Sequence, residues 1–139
     1  CGLVAAADVA IADPSTLFAF SEVRLGLIAG TISSHVIPKI GKGHARALFA
    51  TGEAFDAARA LSIGLVHQVG DLDELEAATI KQVLSVGPSA LRESKRLVRE
   101  FPLPVEECAK RLADARAGDE GREGVAAFLE KRKASFAEG

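Results

Sequence analysis

The stretch IGKGHARALFATGEAFDAARALSIGLVHQV, residues 40–69, decides the fold class because helical and extended patterns alternate within it. Residues 44–51 predict a helix that ends at a glycine. A second, short helix is predicted to begin after Asp56, its N-cap, and to end just before Gly64. Residues 65–69, LVHQV, then predict a strand. This alternation indicates an α/β fold.

The residues after Gly70 show only helical patterns, and we place a domain boundary there, between residues 1–70 and 71–139. Apolar side chains recur at helical spacing in successive stripes. Their members are Ala77, Ile80, Val83 and Leu84, then Leu91, Leu97, Val98 and Phe101, then Val105, Cys108, Ala109 and Leu112, and last Val125, Phe128 and Leu129. The stripes have too few partners within this region, which predicts packing on a further part of the protein or on other subunits.

The residues before residue 40 carry shorter signals. They predict a short helix at 2–7, strands at 8–12 and 16–20, a loop that carries Glu22, and a helix from Ser33 or Ser34 to about Ile40. Pro38 disfavours a longer regular helix there. The first half of the chain is therefore expected to mix strand and helix, and the second half to be helical.

Composition places the chain among globular proteins, since 48% of its 139 residues are apolar and 26% are charged. A formal net charge of −2 and the absence of Trp and Tyr argue against nucleic acid or an anionic membrane as a partner. No apolar run approaches the roughly 18 residues of a membrane-spanning helix. Because the chain opens without Met on an Ala-rich apolar segment, we interpret it as the second half of something longer.

Few residue types suited to metal or nucleophile chemistry are present. Cys1 and Cys108 have neither CxxC nor metal-ligand spacing, which favours free thiols, a reducing compartment and a cytoplasmic location. His35, His44 and His67 lack the i, i+4 pairing of a helical metal site, and there is no GxSxG motif. The sequence therefore indicates no metal, redox cofactor or covalently bound prosthetic group.

One carboxylate stands out in the apolar stretch FAFSEVRLGLIAG, residues 18–30. Apolar surroundings disfavour the charged form of a carboxyl group, which can then exchange protons near neutral pH. Two interpretations of Glu22 stay open at this point. It is either a solvated turn residue, as most loop glutamates are, or a catalytic acid/base at the mouth of an apolar pocket.

A basic run, EKRK, covers residues 130–133 near the end of the last predicted helix. Cations at that position favour the helix dipole, so a solvated helix end is the simplest interpretation. Contact of a lysine in this run with a phosphate group is the alternative.

Together, four segments resemble the enoyl-CoA hydratase/isomerase, or crotonase, superfamily over nearly the whole chain. They are CGLVAAADVAIA (1–12), FAFSEVRLGLIAG (18–30), the stretch 40–69, and DEGREGVAAFLEKRKASF (119–136). The resemblance implies a crotonase-like ββα spiral core, of which 1–70 is the C-terminal part, followed by a helical trimerisation region. It also implies an acyl-CoA thioester substrate, with coenzyme A as part of the substrate, and a homo-oligomer that is a trimer or a dimer of trimers.

The same resemblance implies a catalytic arrangement. Two backbone amides form an oxyanion hole for the thioester oxygen, and both fall before Cys1. Glu22 falls on the second of the two glutamates with which hydratases of the family activate water and deliver a proton at Cα. Gly2 falls where the first glutamate would be. Gly30 stands where dienoyl isomerases carry an Asp, which makes that reaction a poor match.

Further substrate contacts are assigned by the same correspondence. Gly2, Leu25 and Gly30 are assigned to the acyl site around the glutamate. Lys131 falls on a family lysine that approaches the phosphate end of coenzyme A. Leu112 falls where some members carry a Phe packed near the adenine.

The leading hypothesis is an enoyl-CoA hydratase-like lyase of fatty-acid β-oxidation, which adds water to a short or branched 2-enoyl-CoA with Glu22 as acid/base. Because Gly2 leaves a single glutamate, a Δ3,Δ2-enoyl-CoA isomerase that uses Glu22 alone is one alternative. A non-catalytic, truncated or degenerate member of the family is the other.

Overall fold

The computed structural model describes residues 1–137 and divides into two units, unit 1 (Cys1–Ala77) and unit 2 (Ala78–Gly139). The division falls inside the helix Leu72–Leu84, seven residues beyond residue 70, where the sequence analysis placed the boundary.

Unit 1 contains two small sheets, four complete helical segments and the start of a further helix. Its elements are α1 (Gly2–Ala6), β1 (Ile11–Ala12), β2 (Leu17–Ala19), a 3-10 helix (Glu22–Leu25), α2 (Gly30–Thr51), β3 (Ala54–Asp56), α3 (Ala57–Ser62) and β4 (Gln68–Val69). Strand β1 pairs in parallel with β4, and β2 pairs antiparallel with β3. The predicted mixture of strand and helix is present, with strands shorter than the sequence suggested.

The β1–β4 pair shows why the predicted strands at 8–12 and 65–69 are shorter in the structure. Just before the paired residues, a side chain replaces a backbone acceptor. The Ala10 backbone N–H donates to His67 Nδ1 at 2.9 Å. The His67 backbone N–H donates back to the Ala10 carbonyl at 2.7 Å. A side-chain acceptor thus takes the place of a backbone carbonyl, and the regular ladder covers only Ile11–Ala12 and Gln68–Val69.

Helix α2 begins at Gly30, earlier than predicted, and is broken directly after Ile40, where the first of the two predicted helices ends. It runs from Gly30 to Thr51 through Pro38, and its backbone leaves helical geometry at Gly41, where φ is 78° and ψ is 156°. Glycine adopts this conformation readily, whereas other residues do not. The second part ends as predicted at Gly52, which has a φ of 58°.

Strand β3 is the element that the sequence did not reveal, because three residues are too few to show an alternating pattern. Its Phe55 pairs with Phe18 of β2, and the two rings stack with centroids 5.7 Å apart. Helix α3 follows directly and confirms its predicted cap, since the Asp56 side chain accepts a hydrogen bond from the Arg59 backbone N–H at 2.7 Å. Gly64, with a φ of 78°, follows the helix as predicted.

The core of the described chain lies in unit 1. Its most completely buried large side chains are Phe20, Val36, Leu48, Leu65 and Val66. They come from the segment before the 3-10 helix, from both parts of α2 and from the segment before β4. This core fixes the point at which the chain leaves β2 and enters the Glu22 segment.

Unit 2 takes up the rest of α4 (Leu72–Leu84) and contains α5 (Pro88–Glu100), α6 (Val105–Ala117) and α7 (Asp119–Leu129). The helical prediction for this region is confirmed. Many of its apolar stripe residues are exposed, as expected from their lack of internal partners: Ile80, Val83, Leu84, Val98, Phe101, Val105, Leu112, Phe128 and Leu129.

Polar contacts hold the helices of unit 2 to one another. Glu120 of α7 caps α5, because its carboxylate accepts hydrogen bonds from the backbone N–H groups of Ser89 and Ala90 at 2.9 and 2.7 Å. Arg111 of α6 pairs with Glu100 at the end of α5 at 2.6 Å. These contacts use the helix ends, where backbone groups and the dipole favour charged partners.

Candidate active site

Glu22 is the first residue of the 3-10 helix, not part of an irregular loop as the sequence suggested. It comes two residues after the buried Phe20. Its backbone carbonyl accepts the Leu27 N–H at 3.0 Å, and Gly26 ends the helix with a φ of 71°. A tight, glycine-terminated turn therefore fixes the backbone of this carboxylate residue.

The Glu22 side chain lines a pocket of about 150 Å³ in unit 1. The other lining residues are all apolar: Phe20, Val23, Leu27, Ile28, Ala29 and Phe49. Within residues 1–137 the half-buried carboxylate has neither a hydrogen-bond partner nor an ion-pair partner. The apolar surroundings predicted for Glu22 are thus present, and its carboxylate is left free to meet a ligand.

The same segment also exposes large apolar side chains, and two of them, Leu27 and Ile28, belong to the pocket lining. Leu25, Leu27 and Ile28 are 75%, 60% and 88% exposed. Leu25, assigned to the substrate site from the sequence, does not line the pocket and lies outside it on the 3-10 helix. Its contact with substrate stays a prediction.

Gly30 is the first residue of α2 and is exposed. A Cβ added there would meet only the Ile28 side chain, at 3.6 Å, an ordinary van der Waals distance. Packing therefore does not require glycine at this position, and the assigned role of Gly30 stays a prediction.

Gly2 is in a different situation, because helix α1 closely approaches α2. A Cβ at Gly2 would lie 2.5 Å from Ile32 Cγ2 and 3.2 Å from Ile32 Cβ. Ile32 itself packs against the buried core. Any side chain at position 2 therefore requires Ile32 to move, which provides a physical reason for the glycine that stands there.

Lys39 has a positioning role that sequence reasoning missed. From α2 its Nζ donates to the carbonyls of Val4 and Ala7 at 3.1 and 3.0 Å, at the end of α1. Burial lowers the pKa of Lys39, and the charge of Asp8 opposes this shift. No local signal could have revealed the cap, since the lysine and the helix that it caps are brought together only by the tertiary fold.

Lys131 lies in unit 2, two residues beyond the end of α7. It is exposed, and its side chain has neither a hydrogen bond nor an ion pair within residues 1–137. Its backbone φ is 54°, in the left-handed region. The cationic helix end expected from the sequence is present, and its contact with phosphate stays a prediction.

Unit 2 also has a larger, mainly apolar pocket of about 800 Å³. Leu112, assigned to the adenine end of the substrate, lines this pocket together with Val125 and Phe136. Glu120, the cap of α5, and Arg116 supply charged groups to its wall. The pocket places Leu112 in an apolar setting, and its contact with adenine stays a prediction.

The chain has clear relatives among known proteins. A family model described as enoyl-CoA hydratase/isomerase matches residues 1–139. The chain belongs to the enoyl-CoA hydratase/isomerase family. The crotonyl-CoA hydratase of Syntrophomonas wolfei is 34% identical over 145 residues, which cover 98% of this chain and 56% of that protein. The chain thus spans about half the length of the curated relatives it matches.

Solved structures agree with the family assignment. An enoyl-CoA hydratase of Shewanella pealeana matches with a TM-score of 0.91 and 35% identity over 96% of this chain and 53% of that one. Pseudomonas aeruginosa AtuE matches with a TM-score of 0.92 and 35% identity over 99% of this chain and 57% of that one. The predicted crotonase-like α/β fold is therefore confirmed.

Residues 1–137 hold no group of three or more His, Cys, Asp or Glu side chains that could bind a metal ion. In the same part of the chain no helix combines the length and apolar character needed to span a membrane.

Proposed function

We propose that the protein containing this chain adds water to a short or branched 2-enoyl thioester of coenzyme A, with Glu22 as the acid/base. The observation that carries the proposal is that Glu22 alone brings an ionisable side chain to an otherwise apolar pocket in unit 1. A crotonyl-CoA hydratase among the relatives supports an acyl-CoA substrate of this size.

The chemistry asked of Glu22 is a proton transfer in two directions. Its carboxylate removes a proton from water as the water oxygen bonds to C3 of the enoyl group. The carboxyl group so formed returns a proton to C2, next to the thioester carbonyl. Negative charge on the thioester oxygen is stabilised by the amides that the family resemblance places before Cys1.

The test is the Glu22→Gln variant of the complete polypeptide, assayed by the loss of enoyl-thioester absorbance with crotonyl-CoA. Acid/base groups contribute about 10²- to 10⁴-fold to rate, so kcat should fall by that factor. Glu53→Gln is the matched control, because Glu53 is exposed in the same unit and does not line the pocket. A Glu22→Gln rate within a factor of a few of the parent would overturn the assignment.

An isomerase that moves the double bond between C3 and C2 is the second candidate. It is favoured by the contact between Gly2 and Ile32, which leaves no room for a second carboxylate at position 2. Incubation of a 3-enoyl-CoA in H₂¹⁸O separates the two reactions. Formation of the 2-enoyl isomer without ¹⁸O uptake favours the isomerase, whereas an unchanged 3-enoyl-CoA, together with a labelled 3-hydroxyacyl product from a 2-enoyl-CoA, favours the hydratase.

We also propose that Lys131 contacts the phosphate groups of the coenzyme A part of the substrate. Its ammonium is exposed and has no partner within the described residues, 1–137. Ammonium groups bind phosphates as point charges. Lys131→Ala should raise KM for crotonyl-CoA and leave KM for crotonyl-pantetheine, which lacks the phosphates, unchanged.

Assembly into a trimer or a dimer of trimers is proposed from the exposed apolar residues of unit 2. Val98, Val105 and Phe128 are 79%, 78% and 81% exposed, and large apolar patches mark interaction surfaces. Light scattering of the complete polypeptide should give a mass of three or six chains. A monomer at micromolar concentration would contradict the proposal.

A further inference from the structure

The backbone at Lys131 is unusual for a lysine. It is the one non-glycine residue within 1–137 with a positive φ, 54°. Its N–H donates to the Phe128 carbonyl at 3.2 Å, and the Arg132 N–H donates to the Ala127 carbonyl at 3.0 Å. These two hydrogen bonds form the Schellman ending of a helix, in which glycine is the preferred residue at the position of Lys131.

A lysine at this position is less favourable than a glycine. For a residue with a Cβ the left-handed conformation costs about 1–2 kcal/mol. Such residues persist where the surroundings hold them in place, and they cluster at functional sites. A helix ending alone is satisfied by glycine, so the side chain of Lys131 is the feature to be explained.

The surroundings of Lys131 hold the chain on both sides of it. The Glu123 carboxylate of α7 accepts two hydrogen bonds from the Arg132 guanidinium, at 2.7 and 3.0 Å, and a third from the Ser135 backbone N–H at 2.8 Å. Arg132 also donates from Nε to Glu130 at 2.6 Å. Residues 130, 132 and 135 are thereby fixed, and Lys131 lies between them.

These contacts also change the ionisation of the Glu123 carboxyl group. Arg132 and, second, the Ser135 amide lower the pKa of Glu123 to about 2. Paired guanidinium and carboxylate groups of this kind fix direction as well as distance. By contrast, the ammonium of Lys131 has no partner within residues 1–137. Glu123, Glu130 and Arg132 therefore form a hydrogen-bonded frame beside Lys131, whose own ammonium is unpaired within residues 1–137.

We propose that Glu123 and Arg132 are positioning residues, which hold the Lys131 ammonium where it meets the phosphate groups of the acyl-CoA substrate. The inference rests on the proposed function for its substrate. It adds two residues that do not touch the substrate but determine how tightly the substrate binds.

The test is a double-mutant cycle in the complete polypeptide with Lys131→Ala and Glu123→Gln. Each single variant should raise KM for crotonyl-CoA about three- to tenfold with little change in kcat, since a typical hydrogen bond has about this value. The double variant should have the KM of Lys131→Ala, because Glu123 acts only through that lysine. With crotonyl-pantetheine, which lacks the phosphates, no variant should change KM.

Two controls separate positioning from general charge and from folding. Glu106→Gln removes an exposed carboxylate elsewhere in unit 2, and Lys133→Ala removes a neighbouring cation; both should leave KM nearly unchanged. Lys131→Gly relieves the backbone, so it should raise the unfolding temperature while it raises KM as Lys131→Ala does. If Glu123→Gln fails to fold, Arg132→Lys takes its place in the cycle, because it keeps the charge and loses the bidentate pairing with Glu123.

The inference is overturned if Glu123→Gln leaves KM unchanged, raises it equally with crotonyl-pantetheine, or raises it further in the Lys131→Ala background. Calorimetric binding of coenzyme A itself, with pantetheine as the comparison, distinguishes this failure from failure of the proposed function. If binding of coenzyme A depends on Lys131 and Glu123 but no hydration occurs, the proposed reaction is refuted and the positioning role of Glu123 is supported. If hydration occurs and its KM does not depend on Glu123, the reaction is supported and the positioning role is refuted.

Discussion

Units 1 and 2 are stabilised by different physical means. Among the described residues, all the buried apolar side chains except Ala127 lie in unit 1. In unit 2, by contrast, the carboxylates of Glu120 and Glu123 accept backbone N–H groups, at the start of α5 and beyond the end of α7. Apolar burial does not depend on ionisation, whereas these two contacts depend on charged carboxylates.

The same difference separates the two ends of the proposed substrate. Glu22, the group proposed for chemistry on the acyl part, is set in the apolar pocket of unit 1. Lys131, the group proposed for the phosphates, is set in the charged frame of unit 2. Apolar surroundings favour proton transfer between a carboxyl group and carbon. Charged surroundings favour the binding of phosphate groups.

The largest effect on stability is expected from the core of unit 1. Phe20 is 1% exposed, and its ring centroid lies 5.0 Å from that of Phe49 and 5.7 Å from that of Phe55. Phe20→Ala should lower the free energy of unfolding by about 3–5 kcal/mol in chemical denaturation followed by circular dichroism. Val86→Ala, at an exposed position of unit 2 that belongs to none of the apolar stripes, should cost about 0.5 kcal/mol or less. Equal costs for Phe20→Ala and Val86→Ala would break the comparison.

A smaller effect is expected where α1 meets α2. Gly2→Ala places a Cβ against Ile32 and should destabilise by about 1–3 kcal/mol. Ile32→Ala in the same chain should recover part of this loss, so the two changes should not be additive. Gly43→Ala is the matched control: no atom lies within 4 Å of its added Cβ, and it should stabilise α2 by about 0.5–1 kcal/mol. Additive costs for Gly2→Ala and Ile32→Ala would refute the steric account.

The smallest effect on stability is expected in unit 2 at acid pH. The pKa of Glu123 is lowered from 4.5 to about 2, so its ionised form stabilises the folded state fully above pH 4.5. This contribution is lost as pH falls through about 2. Hydrogen exchange of α7 amides should therefore speed up over this window relative to α2 amides. Glu123→Gln should remove the Glu123 part of that dependence, and an unchanged pH profile would contradict it.

The features that sequence predicted best are those whose cause is local. Asp56 and Gly64 mark the ends of α3 because capping depends on neighbouring residues alone. The apolar surroundings of Glu22 were predictable for the same reason, since most of its pocket comes from its own segment. Strand β3 was missed because its three residues acquire their identity only by pairing with β2.

Tertiary contacts explain what the sequence left hidden at the candidate site. Lys39 caps α1 from another helix, so nothing near it in the chain signals the role. The left-handed turn at Lys131 was hidden because glycine, its usual mark, is absent there. The requirement for glycine at position 2 likewise depends on Ile32, which is distant in sequence.

Asp56 is both the last residue of β3 and the N-cap of α3, so the two elements are joined without a loop. An inserted residue at this junction would either separate the carboxylate from the Arg59 amide or shift β3 by one position. A one-position shift would turn Phe55 from the core to solvent. The junction should therefore tolerate changes of residue type more readily than changes of length.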